Sequence, residues 1–262
     1  MELITSSSNP RFRLWKSLAD KKGRDSSGLF IVEGFHMSEE AMSSPFTVES
    51  VLLREGVSLS FAIKEGVPSF ILSDRLFNSL SDTRTPQGVA VVLRKKLLPC
   101  TGSLLVALDG LQDPGNVGTI LRTADAAGFH GAILSRNTAD LFSPKVLRAT
   151  MGSVFRLGIS QPSSLPGFLK ELIGQGYAVI SSQLDGLPFF DRDPLPQKLV
   201  LVIGNEGNGV SPEVRALATH RFALPMRGGA ESLNASVAAG IMMYDLARSL
   251  SSSDNSGVSQ NA

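Results

Sequence analysis

The first hundred residues alternate apolar runs with amphipathic stretches. Apolar runs of four to six residues predict strands, and apolar positions at a spacing of three or four predict helices. The predicted strands are Leu29–Glu33, Val48–Leu53, Ser69–Leu72 and Gly88–Leu93. The predicted helices are Asn9–Ala19, Phe35–Met42 and Asp74–Leu80. Strands that alternate with short helices indicate a small α/β domain, which we place at residues 1–96.

The second half of the chain has a different strand pattern. Leu104–Asp109 is apolar without alternation, which is typical of a strand buried on both faces of a parallel sheet. The other predicted strands are Ala132–Ser135, Tyr177–Ser181, Leu199–Ile203 and Phe222–Leu224. The predicted helices are Val117–Ala127, Ser143–Thr150, Leu165–Gly174 and Leu233–Leu246. The pattern alone therefore predicts a Rossmann-like parallel α/β sheet over residues 103–250, since knotted chains are very rare.

Local signals set the boundaries of these elements. Residues 97–102 contain proline and glycine without periodicity and predict a linker, and the serine-rich residues 251–262 predict a disordered tail. Asn9 followed by Pro10 is a helix start, and we expect Asn116 to be the N-cap of the helix that follows it. Gly128 is the expected stop of that helix.

Composition excludes several classes of protein. The chain has 262 residues, 42% of them hydrophobic, and a formal net charge of +1. One cysteine, Cys100, cannot form an internal disulfide, and three scattered histidines argue against a zinc enzyme, so we expect no metal. The polar N-terminus and the absence of an apolar run of 18 residues predict neither a signal peptide nor a membrane span. We therefore expect a cytoplasmic protein.

Basic residues concentrate at the beginning of the chain. Residues 1–24 contain six basic and two acidic side chains. The near-neutral total charge argues against a protein that coats nucleic acid indiscriminately, and a solvated helix face is the simpler explanation of the basic segment taken alone.

Three segments carry polar residues where ligands bind. In Asn116-x-Gly118-x-x-x-Arg122, the glycine and the arginine lie one turn apart on one helix face, which leaves room for a ligand beneath the guanidinium. A capped helix with its arginine paired to a neighbouring carboxylate is the structural alternative. Glu206 stands in a glycine-studded turn after a strand, where α/β sheets bind ligands, although a purely structural turn fits equally well.

The third segment is polar at the mouth of an apolar helix. Capping explains one of Ser232, Asn234 and Ser236, whereas all three together point to a ligand or an interface. The glycine turn lacks the dinucleotide fingerprint and the phosphate-loop lysine. No histidine falls in these segments, so the chemistry does not depend on a histidine base.

Together these segments resemble the three motifs of the SpoU/TrmH family of RNA 2′-O-ribose methyltransferases. The matching stretches, in family order, are Asp113-Pro-Gly-Asn-Val-Gly-x-x-x-Arg122, Val202-Ile-Gly-Asn-Glu-Gly207 and Leu224-Pro-Met226 with Ser232-Leu-Asn-x-Ser236. Residues 5–95 are similar to that family's L30e-like substrate-binding domain, through Ser8-Asn-Pro10, Lys21-Lys22 and Phe30-x-Val-Glu-Gly34.

The resemblance implies a SPOUT fold in which the C-terminal segment threads a deep trefoil knot, with S-adenosylmethionine (SAM) held bent among the knotted loops. It implies a homodimer with the knot helices at the interface, and an RNA substrate for which ribosomal RNA is favoured over transfer RNA. The implied catalytic residues are Arg122, assisted by Asn116, Glu206, Ser232 and Asn234. The implied cofactor-binding residues are Gly204, Leu224, Met226 and Leu233, with Ser182 as a further candidate. The resemblance also favours RNA binding by the basic N-terminal segment, with Arg11, Lys21, Lys22 and Arg24 as the candidate residues.

Two other functions stay open at this point. The first is a ribosome-associated RNA-binding module that has lost its activity. The second is an ordinary nucleotide-binding α/β enzyme. The intact Arg122, Glu206 and Asn234 argue against the first, and the absent dinucleotide fingerprint argues against the second.

Overall fold

A computed structural model describes residues 2–255, with side chains described as far as residue 250. The strands of this part of the chain are β1 (Glu2–Ile4), β2 (Leu29–Glu33), β3 (Val48–Arg54), β4 (Ser69–Leu72), β5 (Val89–Arg94), β6 (Leu104–Asp109), β7 (Gly131–Leu134), β8 (Gly158–Ser160), β9 (Ala178–Pro188), β10 (Leu199–Gly204) and β11 (His220–Ala223). The α-helices are α1 (Pro10–Ser17), α2 (Lys21–Ser27), α3 (Phe35–Ser43), α4 (Asp74–Leu80), α5 (Pro114–Ala126), α6 (Pro144–Thr150), α7 (Leu165–Gly174), α8 (Pro212–Arg215) and α9 (Ala235–Asn255).

The chain divides into two compact units. The first comprises Met1–Lys96 together with Asp140–Arg156. Its sheet has the order β1-β4-β3-β5-β2, in which β1, β4 and β3 are parallel and β5 is antiparallel to both of its neighbours. Helix α1 begins as the sequence predicts, because Asn9 Oδ1 accepts from the backbone nitrogens of Arg11 and Phe12. Phe12 and Trp15 of this helix are buried in the core.

Residues 140–156 belong to the first unit although they lie inside the second half of the sequence. The Phe142 ring packs against Phe30 at 4.8 Å between centroids, and the Phe155 ring packs against Phe46 at 5.4 Å. The sequence assigned this segment to the second domain by continuity along the chain. Its aromatic side chains instead complete the core of the first unit.

The second unit comprises Leu97–Ala139 and Leu157–Ala262. Its six strands are all parallel, in the order β11-β9-β10-β6-β7-β8. Both faces of the central strands β6 and β10 are buried, which is why the sequence there is apolar without alternation. The predicted parallel sheet is confirmed. Within the described residues, no helix combines the length and the apolar character needed to cross a bilayer.

Strand β9 differs most from its prediction, because it runs on to Pro188 instead of ending at Ser181. Its pairing with β11 is interrupted: Ser181 pairs with Arg221, whereas Leu187 pairs with Phe222. Residues 182–186 therefore have no partner on β11. This irregular stretch is polar and contains glycine, so its sequence lacked the pattern of a strand.

Helix α9 begins at Ala235, two residues later than predicted, and Leu233 stays in the preceding loop. A Cβ placed on Gly240 would lie 3.6 Å from Thr123 Cγ2, so α9 passes close to α5. The helix extends to Asn255, into the segment predicted to be a disordered tail. The rest of that predicted tail, residues 256–262, lies outside the described residues.

Arg24 is a structural residue, which contradicts its prediction as an RNA-binding residue. Its side chain is only 4% exposed and forms an ion pair with Asp140 at 2.7 Å. It also donates to the carbonyl oxygens of Leu18 and Ala19, both at 2.7 Å. A basic run identifies the charges but not their burial, and the partner of Arg24 is 116 positions further along the chain.

We expect Arg24→Ala to lower the free energy of unfolding by about 3 kcal/mol, because it leaves Asp140 and two carbonyl groups without their buried partner. Urea unfolding followed by circular dichroism measures the change. The matched control is Lys22→Ala, at an exposed position on the same helix, which is expected to change stability by less than about 0.5 kcal/mol. Equal losses in the two variants would contradict the structural role of Arg24.

Candidate active site

Two loops meet at the carboxyl edge of the parallel sheet. Strands β6 and β10 are neighbours whose register places Gly204 opposite Asp109, so the turns that follow them are adjacent. Asn205 Nδ2 donates to the Gly110 carbonyl oxygen at 2.8 Å, and Asp109 Oδ2 accepts from the Ser211 backbone nitrogen at 2.8 Å. The first and second candidate segments are therefore joined by the sheet itself.

The turn after β10 is so tight that Gly204 has no room for a side chain. A Cβ on Gly204 would lie 2.1 Å from the carbonyl carbon of Gly209 and 2.2 Å from the backbone nitrogen of Val210. Asn205 and Gly209 exchange both backbone hydrogen bonds at 2.9 Å, and Gly209 adopts a φ of +67°. The chain folds back on the end of β10, which leaves bare backbone at the cavity described below.

Glu206 connects this turn to the start of α5. Its carboxylate accepts from the backbone nitrogens of Gln112 and Asp113, each at 3.2 Å, and from Asn116 Nδ2 at 3.0 Å. Partial burial acts to raise the pKa of the Glu206 carboxyl, but the hydrogen bonds from Asn116 and from backbone N–H groups outweigh it and lower the pKa. Glu206 is therefore held as an anion whose role is to accept hydrogen bonds.

The N-cap of α5 is Asp113, which corrects the prediction of Asn116. Asp113 Oδ1 accepts from the Asn116 backbone nitrogen at 2.7 Å, and Pro114 occupies the first helical position. Because Asp113 caps the helix, the Asn116 side chain is buried in the first turn and free to bond elsewhere.

Asn116 joins the second and third candidate segments. Its Nδ2 donates to Glu206, and its Oδ1 accepts from Asn234 Nδ2 at 2.9 Å. Asn234 Oδ1 in turn accepts from the backbone nitrogen of Ser236 at 2.9 Å and from its hydroxyl at 2.6 Å, at the start of α9. A continuous chain of hydrogen bonds thus links all three segments, which the sequence left as separate candidates.

A cavity with a volume of about 570 Å³ opens beside this network. Its wall includes all four predicted cofactor residues, Gly204, Leu224, Met226 and Leu233, together with the further candidate Ser182 and the predicted catalytic residues Glu206, Ser232 and Asn234. A volume of this size is within the range of sites for cofactor-sized ligands.

The cavity wall also contains Gln183, Asp185 and Arg215, polar residues outside all three candidate segments that sequence reasoning missed. The first two lie in the unpaired stretch of β9, and Arg215 ends the short helix α8. The sequence shows a polar stretch followed by Gly186, but it does not show that this stretch forms part of the cavity wall.

Arg122 is not part of the cavity wall. It lies on the exposed face of α5, and it makes no ion pair and no side-chain hydrogen bond within the described part of the chain. The alternative that this arginine is bound by a neighbouring carboxylate is therefore wrong for the described residues. The guanidinium is available to a ligand that approaches from outside.

The hydrogen bonds of Glu206 give its site a defined pH response. Folding lowers the pKa of the Glu206 carboxyl, so its ionised form stabilises the folded protein. This stabilisation is fully present above the ordinary pKa of 4.5 and is lost as the pH falls through the pKa of the folded state. We expect the melting temperature of the wild type to exceed that of Glu206→Gln near pH 6, and the difference to shrink below pH 4.5. Differential scanning calorimetry across this range measures it. A difference that stayed constant would show that the charge of Glu206 contributes nothing.

Comparisons with known proteins identify relatives of this chain. The family model described as SpoU rRNA Methylase family matches residues 103–244, and the model described as MRM3-like substrate binding domain matches residues 9–91. The 23S rRNA (guanosine(2553)-2'-O)-methyltransferase RlmP of Bacillus subtilis is 35% identical over 94% of this chain and 99% of its own length.

Solved structures show the same relationship. An AdoMet-bound rRNA methyltransferase from Sinorhizobium meliloti matches with a TM-score of 0.84 and 30% identity, over 95% of this chain and 98% of that one. The SpoU methyltransferase AviRb from Streptomyces viridochromogenes, in complex with AdoMet, matches with a TM-score of 0.83 and 28% identity, over 93% and 100%. The chain belongs to the SpoU rRNA methylase family.

Proposed function

We propose that this protein is a SAM-dependent enzyme that methylates the 2′-hydroxyl of a ribose in ribosomal RNA. The observation that carries the proposal is the hydrogen-bond chain from Glu206 through Asn116 to Asn234, which brings the three family motifs together beside one cavity. The similarity to a 23S rRNA 2′-O-methyltransferase over 94% of the chain supports the substrate. A cytoplasmic location is part of this proposal, and a ribosomal RNA substrate supports it.

The cavity suits SAM in shape and chemistry. Leu224, Met226 and Leu233 supply an apolar wall for the adenine ring, and the turn at Gly204 offers backbone groups without a side chain in the way. Gln183 lines the same cavity, and its side-chain oxygen is buried without a hydrogen-bond partner in the described residues. Bound SAM supplies the methyl group, which it carries on a positively charged sulfonium.

Arg122 is the proposed catalytic residue. A guanidinium holds its proton too tightly to serve as a base at neutral pH, so deprotonation by this side chain is not part of the mechanism. Arg122 instead binds the phosphate beside the target ribose and, together with that phosphate, polarises the 2′-hydroxyl for in-line attack. The hydroxyl would lose its proton to water as its oxygen takes the methyl group, and S-adenosylhomocysteine would be the second product. Its exposed position without an internal partner leaves the guanidinium free for this contact.

The neighbouring polar residues have orienting roles in this proposal. Asn116, Glu206 and Asn234 fix the start of α5 and of α9 relative to the cavity, and the exposed Ser232 in the cavity wall orients the ribose. Most of the rate enhancement then comes from alignment of two substrates, which can lower a barrier by about 7–11 kcal/mol.

The first unit is the proposed RNA-binding domain. The basic side chains of Arg11, Lys21 and Lys22 are exposed, as a contact with phosphates requires. Lys21 shares Asp25 with Lys95, whereas Lys22 has no ion pair in the described residues. The hydrogen bond with Asp25 raises the pKa of Lys21, which keeps that side chain charged.

We also propose that the protein is a homodimer. The exposed face of α9 is apolar: Val237, Ile241 and Tyr244 are 49%, 39% and 55% exposed, and their spacing of four and three residues places them on one side of the helix. Isolated exposed apolar residues are normal, but a stripe along a helix indicates an interface. The family resemblance suggests that a second copy of α9 covers this apolar face.

We expect Arg122→Ala to reduce methyl transfer at least about 100-fold while SAM binding is retained, because the guanidinium contacts RNA and not the cofactor. Transfer of tritium from labelled SAM to ribosomal RNA measures the first quantity, and calorimetric titration with SAM measures the second. Lys170→Ala, at an exposed position on α7, is the matched control and keeps full activity. Unchanged turnover in Arg122→Ala would overturn the catalytic assignment, and a wild type without transfer would overturn the function.

Charge reversal tests the RNA surface. We expect Lys21→Glu combined with Lys22→Glu to weaken RNA binding and to reduce the slope of log affinity against log salt by about one to two, because two phosphate contacts are lost. Filter binding at several salt concentrations measures both. Lys64→Glu, also exposed on the first unit but outside the basic segment, is the control. If the double variant and the control behaved alike, RNA would bind elsewhere.

A further inference from the structure

The cavity wall contains charged side chains that the mechanism above does not use. Among the described residues, its charged members are Asp185, Glu206 and Arg215. Glu206 is occupied by donors from the loop before α5 and from α5 itself. Asp185 and Arg215 form an ion pair with each other at the rim, where their side chains are 64% and 42% exposed.

The fold brings these two residues together from separate elements. Asp185 lies in the stretch of β9 that has no partner on β11, and Arg215 is the last residue of α8, 30 positions later. Gly186 lies against β11, because a Cβ there would be 2.5 Å from the Phe222 carbonyl carbon. The unpaired stretch is thus pressed against β11 just beyond Asp185.

The amino-acid end of SAM carries the charges that complement this pair. It has an α-carboxylate and an α-ammonium on one carbon, so it presents a negative and a positive group side by side. A carboxylate binds the planar fork of a guanidinium, and an ammonium binds a carboxylate. Insertion of such a group exchanges one ion pair for two and leaves no charge without a partner.

We propose that Asp185 and Arg215 bind the amino-acid end of SAM, with Arg215 on the α-carboxylate and Asp185 on the α-ammonium. This assignment rests on the proposed function, since it requires SAM in this cavity. It locates the amino-acid end of the cofactor at the rim beside β9 and α8, away from the apolar wall of Leu224 and Met226.

A second observation on the same strand supports the assignment. Gln183 donates to Ser181 Oγ at 2.7 Å, while its own side-chain oxygen is buried without a partner in the described residues. A buried acceptor without a donor is costly and rare in the absence of a ligand. Gln183 and Asp185 therefore both line the cavity from the stretch of β9 that has no partner on β11, and Gln183 has an acceptor without a donor there.

The alternative is that the ion pair only fastens α8 to β9. The two roles differ in what they do to ligands that lack the amino acid. S-adenosylhomocysteine has the amino-acid end, and 5′-methylthioadenosine has the adenosine and the sulfur without it. A purely structural pair would affect both ligands equally, whereas a binding pair affects only the first.

The experiment is a calorimetric titration of the full-length protein with each ligand. We expect Arg215→Ala to weaken S-adenosylhomocysteine about tenfold and Asp185→Asn about fivefold, since both contacts are charge-assisted but partly exposed to solvent. Affinity for methylthioadenosine should change less than twofold in both variants. Arg221→Ala, an exposed arginine on β11 that does not line the cavity, is the matched control and keeps both affinities.

The outcomes separate this inference from the function on which it depends. A selective loss for S-adenosylhomocysteine supports the assignment. Equal losses for both ligands, or no loss for either, overturn it and leave the SAM site intact. A wild-type protein that binds neither ligand overturns the proposed function, and the inference with it.

Discussion

The carboxylate of Glu206 is the group on which the arrangement of the site depends. An ionised carboxylate can only accept hydrogen bonds, so it dictates the direction of every bond that follows. Asn116 must present its Nδ2 to Glu206, which turns its Oδ1 towards Asn234. Asn234 must then donate from its own Nδ2, which leaves its Oδ1 to cap α9 through Ser236. One acceptor thus fixes the orientation of two amides and the start of a helix.

This directionality suits asparagine, whose short side chain carries a donor nitrogen and an acceptor oxygen side by side on one amide group. A neutral hydrogen bond contributes about 1 kcal/mol and one to a charged group about 1.5–3 kcal/mol, so the bonds to Glu206 are the strongest of the chain. The weaker Asn116–Asn234 contact then connects two helix starts that the backbone alone does not connect. Because Glu206 and Asn234 also line the cavity, part of its wall and the starts of α5 and α9 are positioned by the same hydrogen bonds.

Much of the fold follows from local patterns, because buried strands and capped helices depend on neighbouring residues. The rule that predicted a helix start at Asn9 followed by Pro10 also holds at Asp113 followed by Pro114, and applying it there would have given the correct cap. The prediction that Arg24 binds RNA was wrong because its ion-pair partner, Asp140, is distant in sequence. The unpaired stretch of β9 could not be predicted, since it is defined by the interruption of its pairing with β11, a strand that comes much later in the sequence.

The site was less predictable than the fold from local patterns, because its residues were assigned through the family resemblance and not through periodicity. Spacing alone offered three separate polar segments, each with a structural alternative. The parallel register of β6 and β10 is what makes the first two adjacent, and the Asn116–Asn234 bond is what adds the third. The trefoil knot implied by the family stays a prediction, and pattern reasoning would not have proposed it.

The absence of histidine from these segments fits the chemistry of a sulfonium donor. A methyl group on a positively charged sulfur is already electrophilic, so the barrier lies chiefly in alignment and in the reluctance of a ribose hydroxyl to lose its proton. Alignment needs rigid backbone turns and fixed amides, which the Gly204 turn and the Asn116 network provide. Polarising the hydroxyl needs a fixed positive charge, and in the proposed function the exposed side chain of Arg122 supplies it. In the proposed function, the residues of the cavity hold the cofactor and Arg122 contacts the RNA, so the methyl donor and the ribose are positioned by different residues of the second unit.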